Sequence, residues 1–338
     1  MNEREAIARL KMIATSDAAR GLLDDAALLD GLVITHDSIA EGVHYLASDP
    51  PESVGWKLAA VNASDLAAKG AEPVAALLSL ALTGDDAWEM QFLDGLETAL
   101  AEFGLSLIGG DTIALPTSAP RVLGLTAIGR AGSHTPLRSG GQEGDRLWLV
   151  GTLGDSAAGL AVLLADPTAT GPLVEAYRRP RPLLAAGRLL AQHANAMMDV
   201  SDGLLLDASR LAEASNLAAE IDLAALPLSL AFITERGDDR AARLFAATGG
   251  DDYALLASLS ETVDPFMLSL PSGTRVTAVG RLVRGSGSSL TDRGEPLPMP
   301  ERLGHEHCTA QHSPDDRRPA RAGVGHGDRT AAAPLTPS

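Results

Sequence analysis

Cysteine is nearly absent from this chain. Cys308 is the only one, which excludes an internal disulfide, a thiolate zinc site and a Cys-X-X-Cys redox centre. Its place in a polar C-terminal stretch also makes it a poor nucleophile. Long apolar runs are missing too. No stretch is long and apolar enough to span a bilayer, and the opening MNEREAIARLKM is broken by charge with no apolar core behind it, so no secretory signal is read there. The expected location is cytoplasmic, with no membrane partner. Positive charge is scarce: 27 Lys and Arg against 44 Asp and Glu leave a formal net charge of -17, which disfavours a nucleic-acid partner. The usual phosphate cradles are absent as well. There is no G-x-x-x-x-G-K-[ST] loop, no G-x-G-x-x-G turn between strand and helix, and no H-R-D or D-F-G pair. No internal repeat is visible.

The chain does have 338 residues, 45% of them hydrophobic, enough for two domains. Apolar runs of strand length alternate with longer Ala/Leu segments of helical period, the pattern of a mixed α/β (α+β) protein. Strands are expected at 32–35, 75–82, 105–108, 122–129, 147–150, 196–200, 253–258 and 275–283, and helices at 54–69, 87–103, 156–164, 183–193 and 203–214. The Gly-rich, polar stretch "RSGGQEGD" at 138–145 is the preferred boundary. It divides a first domain, 1–137, from a second, 138–304, and the Pro- and charge-rich residues 305–338 are expected to be a disordered tail.

Acid recurs in similar settings: Asp24 and Asp25 before "AALL", Asp37 after "LVIT", Asp65 in "NASDLAA", Asp111 in "IGGD", and Asp199 with Asp202 in "DVSD". Most are read at the end of an apolar strand or at a turn beside a helix, where an α/β fold delivers side chains into a cleft. Any one of them is explained as a helix cap or turn residue, and "GTLGDSAAGL" at 151–160 likewise reads as a turn capped by Asp155 or Ser156. The set is harder to explain that way. "DVSDG" offers Asp199, Ser201 and Asp202 within four positions where a cap needs one oxygen, and two glycines precede the acid of "GGD", allowing close backbone approach to a ligand. Carboxylates gathered without Lys or Arg neighbours would repel one another. A hard cation removes that cost, and ligands that are all oxygen suit Mg²⁺ better than zinc.

The segments "LLDDAALL", "LVITHDSIAEGVHYLASDPPESVGWKLAAVNASDLAAKGAEP", "LIGGDT", "LRSGGQEGDRLWLVGTLGDSAAGLAVL", "MDVSDGLLLD" and "ATGGDDYALL" occur in the order and spacing of the thiamine-monophosphate kinases, within the aminoimidazole ribonucleotide synthetase superfamily. The resemblance covers roughly residues 5 to 300. It implies two α/β domains, a homodimer formed through the first domain, and ATP held with several Mg²⁺ ions in a cleft between domains. It also implies transfer of the ATP γ-phosphoryl group to thiamine monophosphate. Position by position, the resemblance places Asp25, Thr35, Asp37, Asp65, Asp111, Asp199 and Asp202 in the metal shell. Gly110, Asp111, Arg138 and Ser201 become ATP contacts, and His44 and Asp251 contacts to the thiamine substrate. Phosphoryl transfer rests on positioning and charge neutralisation, so no side-chain nucleophile is expected.

The sequence departs from the family in places. His36 stands where the family has Thr, "GLLDD" replaces "GIGDD", "IALP" follows "GGDT", and "GHEHC" brings His305 and His307 but no aromatic ring at Cys308. Two other readings accompany the kinase: a superfamily enzyme with a different acceptor, and a non-catalytic thiamine-phosphate or nucleotide binder.

Overall fold

A computed structural model describes residues 3–305. Of the expected tail 305–338 only His305 is described, where its backbone bonds Asp202; His307, Cys308 and the rest lie outside the described residues. After helix α1 (Glu3–Lys11) the first domain runs β1 (Ala27–Leu29), β2 (Leu32–Ala40), α2 (Pro51–Ala68), β3 (Glu72–Leu82), α3 (Asp86–Phe103), β4 (Ser106–Ala114) and β5 (Val122–Arg130). Its five strands form one sheet in the order β1-β2-β5-β3-β4. Only the β3–β4 pair is parallel, joined through α3.

The second domain follows as β6 (Arg146–Val150), α4 (Asp155–Ala165), α5 (Pro172–Arg178), α6 (Leu184–Ala191), β7 (Ala196–Val200), α7 (Leu204–Ala214) and β8 (Ala218–Asp222). It continues through α8 (Leu230–Arg236), α9 (Arg240–Thr248), β9 (Ala254–Leu259), β10 (Val276–Val283), β11 (Ser288–Asp292) and β12 (Glu295–Leu297). Its seven strands are ordered β12-β11-β8-β10-β6-β9-β7. The mixed α/β expectation is met. Each expected strand and helix lies within or overlaps an observed one. The short strands β1, β8, β11 and β12 and the helices α1, α5, α8 and α9 were not expected, because runs this brief carry too few periods to register.

One helix organises the molecule. In α2 every residue from Ser53 to Ala68 is buried, including the polar Lys57, Asn62, Ser64 and Asp65, so the helix packs on all sides rather than along one stripe. Along its length it joins the core of the five-stranded sheet through Val54, Leu58 and Leu66. Its last residues, Ala67 and Ala68, join the second domain's core with Trp148, Val150 and Leu190. Glycine permits this density: a Cβ on Gly55 would meet Phe92 O at 2.2 Å, and one on Gly95 would meet Glu52 O at 2.0 Å, so α2 and α3 touch backbone to backbone. Capping follows the sequence at α3, where Asp85 accepts the Trp88 N–H at 3.2 Å, and at α9, where Asp239 accepts that of Ala242 at 2.9 Å.

The outer edge of the first sheet is bare. Every residue of β4 is exposed, among them Leu107, Ile108 and Ile113. Among the described residues no helix is long and apolar enough to cross a membrane.

Candidate functional site

A cavity of about 470 Å³ opens at the seam of the two domains, walled by acids from both. On β2 the two-residue period sets the aim: Thr35 is buried and Asp37 half-buried on the cavity side, while His36 between them is exposed. The His36 ring reaches away to β5, with Nδ1 2.9 Å from Thr126 Oγ1. Its side chain therefore points away from the acid cluster, though its charge opposes the rise that burial gives the neighbouring Asp37. The first domain adds Asp25 from the turn before β1 and Asp65 from α2. The second domain adds Asp199 at the end of β7, Ser201 and Asp202 in the following turn, and Asp251 from the "GGDDY" loop. His44, Arg138 and His305 complete the wall, and the His305 N–H donates to Asp202 O at 2.8 Å.

The strand ends were read differently from the sequence. β2 continues to Ala40 and β4 to Ala114, so Asp37 and Asp111 sit within strands. Helix capping was also misassigned. No side chain caps α7; instead Asp207, one turn inside it, accepts the N–H groups of Ser201 at 3.1 Å and Asp202 at 3.0 Å. Nor do Asp155 or Ser156 cap α4. Asp252 reaches over to accept the Gly154 N–H at 2.6 Å and that of Ser156 at 3.3 Å. In the first turn the carboxylate comes from inside the helix and in the second from a distant loop, which leaves Ser201 and Asp202 free of a capping role.

At the centre, Asp25, Asp65 and Asp199 each present a carboxylate oxygen, all within 4.8 Å of one another. Burial pushes the Asp65 carboxyl well above the ordinary carboxylate range, and Asp37, Asp199 and Asp25 add repulsion. Asp199 is raised to about 8, again by burial and then by Asp25. Ser64 Oγ opposes that rise by donating to Asp199 Oδ2 at 2.6 Å. Asp37 is likewise raised by burial, beside Asp25 and Asp202. Thr35 Oγ1 donates to Asp65 Oδ2, so the threonine is seated among the acids.

The acids are not without basic neighbours, contrary to the sequence-based expectation. Lys69 Nζ, fully buried at the end of α2, bonds Asp24, lies 2.6 Å from Asp25 Oδ2 and donates to Met197 O at 2.9 Å. Arg138 Nε donates to Asp25 Oδ1 at 2.8 Å. Burial alone would raise Asp25, but Lys69 and Arg138 outweigh it and hold the carboxyl down at about 2. Arg210 binds Asp202 and reaches Asp207 Oδ1 at 3.1 Å. Lys57, buried in the middle of α2, donates to Asp251 Oδ2 at 2.7 Å. For Asp251, too, burial raises the carboxyl and Lys57 brings it below its ordinary value.

Lys57, Lys69, Asp207, Arg210 and Asp252 were missed in the sequence. A signal existed for the lysines, since they are the two cations in and at the end of a helix buried from Ser53 to Ala68. Asp207 and Arg210 lie in and just after the same motif as Asp202, where helical period reads them as surface residues; only Asp252 reaches a turn distant in sequence. One pair of expected residues is not brought in. Asp111 faces Ser79 across the β3–β4 pair, and with Gly110 it lies on the exposed edge strand, three strand spacings from Asp37, or about 14 Å at the usual separation.

The donor set fits a hard divalent cation. Its atoms are all oxygens, their mutual repulsion is only partly offset by Lys69 and Arg138, and buried Asp25 Oδ2 has no directed hydrogen bond. Oxygen-rich, imidazole-free sites of this kind suit Mg²⁺.

Comparison with known proteins agrees with this geometry. Residues 23–131 match the family model of the AIR synthase related protein, N-terminal domain, and residues 142–292 that of its C-terminal domain. The thiamine-monophosphate kinase of Caulobacter vibrioides is 38% identical over 325 residues, spanning 90% of each chain. That of Escherichia coli K12 is 37% identical over 310 residues, covering 86% of this chain and 92% of its own. A solved structure, "AaThiL complexed with AMPPCP and TMP", superposes with a TM-score of 0.79 at 31% identity, covering 91% of this chain and 97% of its own. The chain belongs to the thiamine-monophosphate kinase family of AIR synthase related proteins.

Proposed function

We propose that this chain transfers the γ-phosphoryl group of ATP to thiamine monophosphate, giving ADP and thiamine diphosphate. The observation that carries the reading is one cavity holding a buried, oxygen-only acid cluster beside Arg138, with His44 and Asp251 on its wall, in a chain of this family. No strong base or nucleophile is needed, because an acceptor phosphate is already ionised near neutral pH.

The residues divide the work. Asp25, Thr35, Asp37, Asp65, Asp199 and Asp202 would hold Mg²⁺, which supplies neutralisation of polyphosphate charge. Arg138 exchanges its Asp25 partner for phosphate oxygens, two of which a guanidinium can hold at once. Ser201 lines the same wall and contacts ATP. His44 and Asp251 orient the thiamine monophosphate.

Gly110 and Asp111 complete the site from a second copy of the chain. The exposed β4, with Leu107 half-exposed and Ile108 at 62%, is an unpaired apolar sheet edge of the kind a homodimer covers. The domain boundary is placed at 137/138, between the two sheets. ATP as co-substrate suits the cytoplasmic placement read from the sequence.

The test is a two-substrate assay with products identified. ADP and thiamine diphosphate should accumulate together only with Mg²⁺, and thiamine should be a poor acceptor. No ADP release above background from purified dimer would overturn the reading.

A further inference from the structure

Lys57 is a charged group that the metal and phosphate chemistry does not use, and its surroundings are unusual for a core lysine. It projects from α2 of the first domain with its side chain 2% exposed. Its ammonium donates to Asp251 Oδ2 at 2.7 Å and to His44 O at 2.9 Å, and it lies 4.1 Å above the Tyr177 ring. These partners come from three segments: the "EGVH" turn after β2, the "GGDDY" loop before β9, and α5. All three residues line the cavity; Lys57 does not.

The loop it grips is strained. Asp251 has φ 68° and Tyr253 φ 51°, left-handed values that persist for such residues only where their surroundings over-determine them. Three contacts do so besides Lys57. Tyr253 OH donates to Asp251 Oδ1 at 3.0 Å, the Asp251 N–H to Ser201 O at 2.7 Å, and the Tyr253 N–H to Val200 O at 2.9 Å. Asp251 and Tyr253 also form the wall between the main cavity and a neighbouring one of about 510 Å³. Moving Asp251 would thus reshape the acceptor side of the site.

We propose that Lys57 is a positioning residue for the phosphate acceptor: from inside α2 its ammonium clamps the His44 turn of one domain and the Asp251 loop of the other at a fixed separation. This rests on the proposed kinase function, which gives His44 and Asp251 their substrate. An ammonium buried for stability alone would serve with any carboxylate. Here all three partners are cavity residues, and the metal-bearing acids are paired elsewhere, with Lys69, Arg138 and Arg210.

The test compares wild type, Lys57→Met and Lys57→Arg in steady-state kinetics with ATP and thiamine monophosphate varied separately. Lys57→Met removes the charge and should raise the KM for thiamine monophosphate at least about tenfold while that for ATP moves less than about twofold, as when one partner of a buried charge pair is lost. Lys57→Arg keeps the charge, and so the fold, but its planar head cannot reproduce all three contacts. It should give a smaller rise with the same selectivity, and it carries the test should Lys57→Met fail to fold. Equal changes in both KM values, or an unchanged acceptor KM, would overturn the proposal alone. A wild type that neither binds nor phosphorylates thiamine monophosphate would overturn the functional reading, and this proposal with it.

Discussion

Ser64 on α2 donates a 2.6 Å hydrogen bond to Asp199 Oδ2 at the end of β7, and both residues are buried. One bond therefore ties the helix at the centre of the first domain to an acid of the second, at the seam where the cluster forms. Ser64 also stabilises the ionised form of Asp199 against burial and Asp25, and the ionised form is the one a cation needs. In Ser64→Ala that help is lost. The apparent Mg²⁺ affinity measured by calorimetry should fall by about tenfold, the scale of one hydrogen bond to a charged group, with little change in overall fold by circular dichroism.

Asp65 is the acid most crowded by its own kind, facing Asp37, Asp199 and Asp25. Asp65→Asn should cut turnover by about two orders of magnitude or more, because a charged metal ligand is lost. Without Mg²⁺ the same variant should melt at an equal or higher temperature at pH 8, since a buried repulsion has gone. Asp202→Asn should also lose turnover. Wild-type rates in either variant would count against a shared metal site.

The buried acids make stability depend on pH in an unusual direction. Asp199 keeps its proton in the folded chain to about pH 8 against an ordinary value of 3.8. Asp207, raised by burial and by Asp202, keeps its own to about 7. Between about 4 and 8 the folded state binds more protons than the unfolded one, so its stability falls as pH rises across that window. Asp25 works in the opposite sense but at lower pH: its stabilisation is present above 3.8 and is lost towards about 2. Thermal melts without metal should drop from pH 5.5 to pH 8, and saturating Mg²⁺ should flatten the trend. A melting temperature rising over that range without metal would contradict the assignment.

Asp111 stands on the first sheet and Asp202 in the turn after β7 of the second domain, and the edge position of β4 keeps Asp111 from the cluster within one chain. If a second copy supplies it, Asp111→Asn and Asp202→Asn should each be inactive alone yet regain activity when mixed as hybrid dimers. Ile108→Arg should give a monomer by light scattering, with turnover lost. A fully active monomer would remove the dimeric site.

Much of the catalytic half was legible in the chain. Asp25, Thr35, Asp37, Asp65, Asp199, Ser201, Asp202 and Arg138 were named at the sequence level, and the structure sets all but Thr35 in the wall of one cavity, with Thr35 bonded to Asp65 behind it. The aspartates were legible because a hard cation calls for acidic oxygen donors at turns and strand ends, whereas the roles of Thr35, Arg138 and Ser201 came from the family resemblance. What stayed hidden was the partnership around them. Asp252 looks like an ordinary loop acid, and only the fold reveals that it receives the N–H groups of a turn about a hundred residues earlier.

By itself the sequence determined the mixed α/β class, the acidic character of the site and its kinship with thiamine-monophosphate kinases, since periodicity, composition and motif spacing are local properties. The tertiary structure decided which charges meet. Lys57 and Lys69 are twelve residues apart on or at the end of one helix, yet one holds Asp251 and the other Asp24 and Asp25. Charges so buried are stable only where partners from distant segments arrive together, and that arrival is a property of the packed fold rather than of any stretch of the chain.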